Sequence, residues 1–199
     1  MAEGDVRADL LAAGEAAFAS RGYAATTVDD VIRLSGTSRA TFYRYFNGKE
    51  QLFEELSRAC FREMRAAVRA VAATAHGPVG RPEVIGLLER YEGINDRFGG
   101  VIRAWTELTG PADSPMHERG TAAVGAMFEE TAALLDRSAA AAGTPPLAAG
   151  ELTTRAALLF LLVERSVFYV SSRVSRLDPE RLGPTLATLV ERAYLGTSS

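Results

Sequence analysis

The chain has 199 residues, 47% of them hydrophobic and 24% charged, with a net charge of −3. Its mean hydropathy is +0.01, and no uninterrupted apolar run approaches the roughly 20 residues that span a bilayer. A single cysteine, Cys60, excludes an intrachain disulfide and a thiolate zinc cluster, and it reads as a small core or surface residue. The N-terminus starts acidic and shows neither a basic segment nor an apolar one, so no signal peptide is read and a cytoplasmic protein is expected.

Helical periodicity runs through the chain, and the expected fold is all-α with about nine helices. Val6, Leu10, Ala13, Ala17 and Phe18 recur at helical spacing, and Gly22 stops this first helix. Thr27 and Asp30 open the second as a capping box, with Asp29 and Asp30 favoured by the positive end of the helix dipole. Val28, Val31 and Ile32 form its buried stripe, and Gly36 supplies the left-handed residue that ends it. Ser38 caps a third helix to about Phe46, with Phe42 and Phe46 pointing inward. A longer fourth helix starts near Lys49 and runs to about residue 75. Further helices are expected at residues 82–97, 98–109, 115–142, 151–175 and 179–195. Pro/Gly clusters at 77–82, 110–115 and 143–146 punctuate them, and Phe98-Gly99-Gly100 reads as a kink between two helices.

Residues 26–49 carry the clearest chemistry. Two short helices about a glycine turn are the pattern of a helix-turn-helix, which lays its second helix in the major groove of DNA. The pI of about 5.5 is low for that role, but the distribution matters more than the sum. From Arg33 to Lys49 there are Arg33, Arg39, Arg44 and Lys49 and no acid. With Phe42 and Phe46 inside, the other side of the third helix offers Ala40, Thr41, Arg44 and Tyr45. Arg39 and Arg44 present forked donors suited to guanine or phosphate. The expected base contacts are Arg39, Ala40, Thr41 and Arg44. The expected phosphate contacts are Thr27, Tyr43, Tyr45 and Lys49, with Ser38 at the helix end that enters the groove. The alternative is a helical hairpin with a polar, solvated face.

Ala16-Ala17-Phe18, Arg21-Gly22-Tyr23, Thr26-Thr27-Val28, Ser35-Gly36-Thr37-Ser38-Arg39, Thr41-Phe42-Tyr43-Arg44-Tyr45-Phe46 and Gly48-Lys49-Glu50-Gln51-Leu52 together resemble the N-terminal domain of the TetR family of bacterial transcriptional regulators. The resemblance covers about a quarter of the chain. Thr37 departs from it, since the family usually has an aliphatic residue in that turn. The resemblance implies a DNA-binding domain over residues 1–48. It also implies a ligand-binding and dimerisation domain over 49–199 that pairs through its last two helices. The expected partners are a palindromic double-stranded operator, a small-molecule effector and a second copy of the chain.

The rest of the sequence is compatible with that layout. Residues 156–163, AALLFLLV, are apolar on all sides, so their helix must be buried on more than one face. One face can meet the core and another a second subunit. Leu182, Leu186, Leu189 and Ala193 recur at helical spacing in the last helix. Aromatic and flexible residues on the middle helices are either a ligand pocket or plain core. On the early ones they are Leu87, Tyr91, Ile94, Phe98 and Trp105. On the later ones they are Met127, Phe128, Phe160 and Phe168, and Thr131 adds a hydroxyl. Glu164 shares a face with Phe160 and Phe168, where a carboxylate needs a partner. That partner is either an internal arginine, with Arg103 a candidate, or a ligand.

His76 and His117 have no second ligand at metal spacing and read as surface residues. No catalytic, metal or cofactor motif is found. The expected function is thus a TetR-type regulator, a repressor released by a largely apolar effector. The alternative is a sensor or partner-binding protein that does not bind DNA.

Overall fold

The computed structural model describes residues 3–75, 77–107, 115–171 and 178–194. Among them are eight α-helices and no strand: α1 (Glu3–Arg21), α2 (Val28–Ser35), α3 (Arg39–Tyr45), α4 (Lys49–Thr74), α5 (Arg81–Glu107), α6 (Pro115–Ala141), α7 (Ala149–Ser171) and α8 (Pro179–Tyr194). No helix among the described residues is long and apolar enough to cross a membrane. The expected break within 110–114, the loop at His76 and the helix end at Leu195 lie outside the described residues.

The count is eight rather than nine because Phe98-Gly99-Gly100 does not break its helix. α5 runs through it without interruption. Gly100 is there for space. A Cβ at this position would stand 2.4 Å from the backbone N of Ala19 and 2.5 Å from the carbonyl carbon of Phe18. One helical turn on, Arg103 donates to the carbonyls of Phe18 and Ala19 at 3.2 and 2.7 Å. The Ala19 carbonyl is one that the last turn of α1 leaves open, whereas the Phe18 carbonyl also accepts from the Gly22 N–H at 3.0 Å. Within a glycine pair that reads as a kink, Gly100 is a docking point for a neighbouring backbone.

The chain divides into two compact units. The first is Met1–Arg62 with Arg97–Glu118, and the second is Glu63–Asp96 with Arg119–Ser199. These units do not part at residue 48, because α4 contributes to both. Leu52, Phe53, Leu56 and Cys60 of α4 are buried in the first unit with Leu10, Ala17 and Phe18 of α1, Val31 of α2, and Phe42 and Phe46. Short helices bury too little alone, so the start of α4 completes this core. The rings of Phe18, Tyr23 and Phe53 close it at centroid distances of 4.6–5.7 Å.

In the second unit the core is mainly aliphatic. Met64, Val68 and Val71 of α4 are buried there, as are Val84, Leu88 and Ile94 of α5 and Met127, Leu134 and Leu135 of α6. α7 adds Leu159, Phe160, Val163 and Val167, and α8 adds Leu186, Ala187 and Val190. Glu130 of α6 accepts from Arg65 (2.9 and 2.6 Å) and Arg69 (2.8 Å) of α4, which ties these two helices together.

Candidate nucleic-acid interface

The helix-turn-helix is held by side-chain caps at each end of its turn. Thr27 is the N-cap of α2. Its hydroxyl accepts from the Asp30 N–H at 3.2 Å, and the Asp30 carboxylate accepts from the Thr27 N–H at 3.1 Å, so the capping box is complete. Asp30 also accepts from Arg33 at 2.6 Å and faces Arg21 at 3.3 Å. These partners, the Thr27 hydroxyl first, lower its pKa to about 2. Gly36 ends α2 with φ +65°, a conformation that costs a side-chain-bearing residue and not glycine. The departure at Thr37 is accommodated by a hydroxyl contact with Ser35 at 2.9 Å. Ser38 then caps α3, accepting from the Thr41 N–H at 3.0 Å.

This framing turns α3 so that Phe42 and Phe46 are buried while Ser38, Arg39, Ala40, Tyr43 and Arg44 are exposed and Thr41 and Tyr45 half-buried. The exposed positions form one polar face. Arg44 lies over the Tyr45 ring at 5.0 Å and donates to its hydroxyl at 3.2 Å. Arg39, the first residue of α3, donates through Nη2 to both carboxylate oxygens of Asp29, at 2.5 and 2.7 Å. The hydrogen bond and the carboxylate's charge raise the Arg39 pKa further. The pair places the first turns of α2 and α3 side by side, so Thr27 and the α3 residues belong to one surface.

Lys49 is placed differently from its expected part. Its Nζ donates to the carbonyls of Tyr23 (3.0 Å), Ala24 (3.3 Å) and Thr26 (2.9 Å). An ammonium has three N–H donors, so these carbonyls take all of them. The Tyr23 ring lies 4.7 Å from the same nitrogen. Burial, followed by the charges of Glu50 and Glu54, pushes the Tyr23 phenol up to about 12. Thr26, buried, donates to the carbonyls of Ala17 (3.2 Å) and Gly22 (2.7 Å). Thr26 and Lys49 thus fix the loop between α1 and α2. Sequence reading missed both as loop anchors. The available signal was the only lysine in an arginine-rich chain, set beside a loop whose carbonyls lack helical partners.

The expected ligand-site residues do not form one stripe. Leu87, Tyr91, Ile94, Met127, Phe128, Thr131, Phe160, Glu164 and Phe168 lie in the second unit, but Phe98 and Trp105 lie in the first. Trp105 packs on α4, its ring 5.7 Å from Phe53 and 5.8 Å from Phe61, and donates to the Ser57 hydroxyl at 3.0 Å. The cause is again the unbroken α5, whose C-terminal half serves α1 and α4. In the second unit Phe160 is the hub, with Tyr91 at 6.1 Å and Phe128 at 5.7 Å. Thr131 spends its hydroxyl on the Met127 carbonyl at 2.8 Å. Glu164, its side chain 10% exposed, is paired with neighbouring Arg165 at 2.8 and 3.1 Å, and Arg165 lies 5.0 Å from the Phe168 ring. Arg103, the expected partner, serves α1 instead. Among the described residues no group of His, Cys, Asp and Glu could hold a metal ion, and His117 is exposed.

The family model described as bacterial regulatory proteins, tetR family, matches residues 10–56. The chain is 38% identical over 56 residues to the uncharacterized HTH-type transcriptional regulator YhgD of Bacillus subtilis, covering 28% of this chain and 29% of that one. It is 29% identical over 113 residues to the HTH-type transcriptional repressor KstR2 of Mycolicibacterium smegmatis, covering 56% and 54%. The chain therefore spans between a quarter and about half of the length of the curated relatives it matches. Its fold is similar across nearly the whole chain to SCO4454, a TetR-family transcriptional regulator from Streptomyces coelicolor. There the TM-score is 0.72 at 21% identity, with 96% of this chain and 97% of that one covered. The capped helix pair and the outward polar face of α3 thus lie within the segment that matches the TetR family of bacterial transcriptional regulators, on a fold similar to that of solved TetR-family proteins.

Proposed function

We propose that the protein is a homodimeric transcriptional regulator of the cytoplasm, a repressor whose grip on a palindromic operator is released by a small, largely apolar effector. The observation that carries this reading is the orientation of α3. Phe42 and, at its C-cap, Phe46 close the core, and its arginines and Tyr43 face outward from a segment without an acid between residues 33 and 49. Arg39, Ala40, Thr41 and Arg44 read bases. Thr27, Tyr43 and Tyr45 contact phosphates, with Ser38 at the entering end of the helix. Lys49 acts through the loop that it holds, and the free amides of the first α4 turn offer a phosphate site beside it.

Residues 1–48 carry DNA binding and 49–199 carry effector binding and dimerisation, with the start of α4 and the end of α5 bracing the former. The dimer reading rests on Leu158, Leu161, Leu162 and Tyr169 of α7 and Leu189 of α8, which are exposed in the single chain. A cluster of large apolar side chains in water marks an interaction surface. Two-fold pairing there sets two α3 helices about one DNA turn, ~34 Å, apart. The aromatic group around Phe160 is the effector site. The effector prefers a conformation in which that spacing is lost, and α4, which contributes to both units, transmits the change.

Fluorescence anisotropy with the DNA upstream of the protein's own gene tests the reading. The wild type binds with a steep salt dependence, and Arg44→Ala weakens binding about tenfold, within the range of one base-reading contact. Sedimentation shows a dimer that Leu162→Glu dissociates. A wild-type monomer, or no binding to any duplex at low salt, refutes it.

A further inference from the structure

The two successive acids at the start of α2 do different work. Asp30 turns inward, to Thr27, Arg33 and Arg21, and supplies the capping that α2 needs. Asp29 contributes nothing to that cap. Its side chain is 68% exposed, and it reaches across to α3 to grip Arg39, itself 62% exposed. An exposed ion pair of this kind adds little to stability, because solvent screens it. A carboxylate on a surface that meets a polyanion also opposes binding, because every nearby phosphate repels it. General DNA affinity does not account for Asp29, and its place at the positive end of the α2 dipole, which Asp30 shares, does not require it to reach Arg39.

Its geometry accounts for it. Both Asp29 oxygens engage one nitrogen, Nη2 of Arg39. Among the described residues no acceptor is assigned to Nε or Nη1. The two oxygens of one carboxylate share a single Nη2 hydrogen, so the guanidinium is pinned at that corner, and the other Nη2 hydrogen, with Nη1 or Nε beside it, is left for a second planar acceptor. Guanine presents such an acceptor, N7 and O6, in the major groove. A pinned guanidinium retains less rotamer freedom to lose on binding than a free one. On DNA that offers no acceptor at that position, the same carboxylate faces phosphates without compensation.

We propose that Asp29 is a specificity-determining residue that positions Arg39 for guanine and penalises duplexes lacking one there. The proposal rests on the reading that α3 enters the major groove, and the experiment separates the two. Duplexes are selected from a randomised library with the full-length wild type. Affinities for the selected duplex and for a scrambled one are then measured at one salt concentration for wild type, Asp29→Asn, Arg39→Ala and the double variant. Asp29→Asn is expected to tighten the scrambled duplex severalfold and to lower the selected-to-scrambled ratio about tenfold, with preference lost at one guanine. Asp29→Glu restores part of the ratio. In the Arg39→Ala background Asp29→Asn leaves the ratio unchanged. The inference is overturned if Asp29→Asn moves both affinities equally, or lowers the ratio as much without Arg39. If the wild type does not distinguish selected from scrambled DNA, the regulator reading itself fails. Circular dichroism confirms that the variants keep their helices, which the untouched Thr27–Asp30 cap predicts.

Discussion

The two units are held by different means, and the difference decides what each reveals. Around α2 and α3 the backbone is fixed by short polar side chains at particular positions: Thr26 and Lys49 on the loop, Thr27 and Asp30 on one cap, Ser38 on the next. Each satisfies a backbone group that folding would otherwise strand, so few other residues serve. The second unit is held by aliphatic packing, the rings around Phe160 and a few ion pairs such as Glu130 with Arg65 and Arg69. Hydrophobic burial is non-directional, and many sequences fill one volume. A polar frame records its function in residue identity, whereas an apolar core records little beyond its size.

The largest test of this contrast is Phe160→Ala. Removing a buried aromatic ring costs about 3–5 kcal/mol. Trp105 is the only tryptophan and lies in the first unit, so its fluorescence follows that unit. We expect urea to unfold part of the circular dichroism signal earlier in this variant, with the Trp105 signal holding to higher denaturant. Coincident transitions would show that the units share one stability. Next comes Gly100→Ala. The added carbon meets α1 backbone at 2.4 Å, where no side chain can rotate away. Overpacking of this kind costs about 1–3 kcal/mol, against a gain of about 1 kcal/mol from helix propensity. A net loss, read in Trp105 fluorescence, is expected. A stabilised variant would mean that α5 does not approach α1 so closely.

The same contrast sets how much was legible beforehand. Thr27, Asp30, Gly36 and Ser38 are found in the cap and turn roles that their residue types suggested. Those roles follow from local hydrogen bonding, which a sequence displays. Lys49 reads as a phosphate contact, because a cation beside a helix start suits a phosphate as well as loop carbonyls, and the structure sets it on the carbonyls of the loop between α1 and α2. The glycine pair at Gly99-Gly100 was misread because close approach and chain reversal both favour glycine, and only the neighbour tells them apart. Phe98 and Trp105 read alike with Leu87, Tyr91 and Ile94, as pocket or plain core, because periodicity shows which face of a helix is apolar, not which helix it meets. The pairing of Glu164 with adjacent Arg165 is likewise hidden, since neighbours in a helix point to different sides and an internal arginine such as Arg103 fits the same carboxylate.

Lys49→Ala sharpens the comparison from the other side. It strips three carbonyls of a charged donor. The Tyr23 carbonyl keeps the Thr26 N–H and Ala24 is exposed, so the main loss is the charged hydrogen bond to the Thr26 carbonyl, and the urea midpoint should fall by an amount equivalent to about 2 kcal/mol. The dependence of DNA binding on salt tells the two roles apart. A phosphate contact would reduce the log–log slope by about one when removed, whereas a loop anchor leaves it unchanged, and we expect it unchanged. A slope reduced by one with little loss of stability would return Lys49 to the DNA.

The smallest expected effect is a change with pH. Asp30 has its pKa lowered from 3.8 to about 2 by Thr27, then by Arg33 and Arg21. Above pH 3.8 its carboxylate is ionised in folded and unfolded chains alike, and the stabilisation is complete. As the pH falls from 3.8 towards 2, the unfolded chain takes up the proton first, so the stabilisation drains away and is gone below the folded value. Asp30→Asn has no proton to take up. It starts less stable at pH 5, because the charged acceptor for Arg33 is gone, and its urea midpoint should fall less than the wild type's between pH 5 and pH 3. Other carboxylates titrate in both proteins, so the difference between the two falls isolates Asp30. Equal falls would mean that the capping box of α2 is no tighter in the folded chain than a solvated carboxylate. The polar frame would then have no more grip on this helix than the packing beneath it.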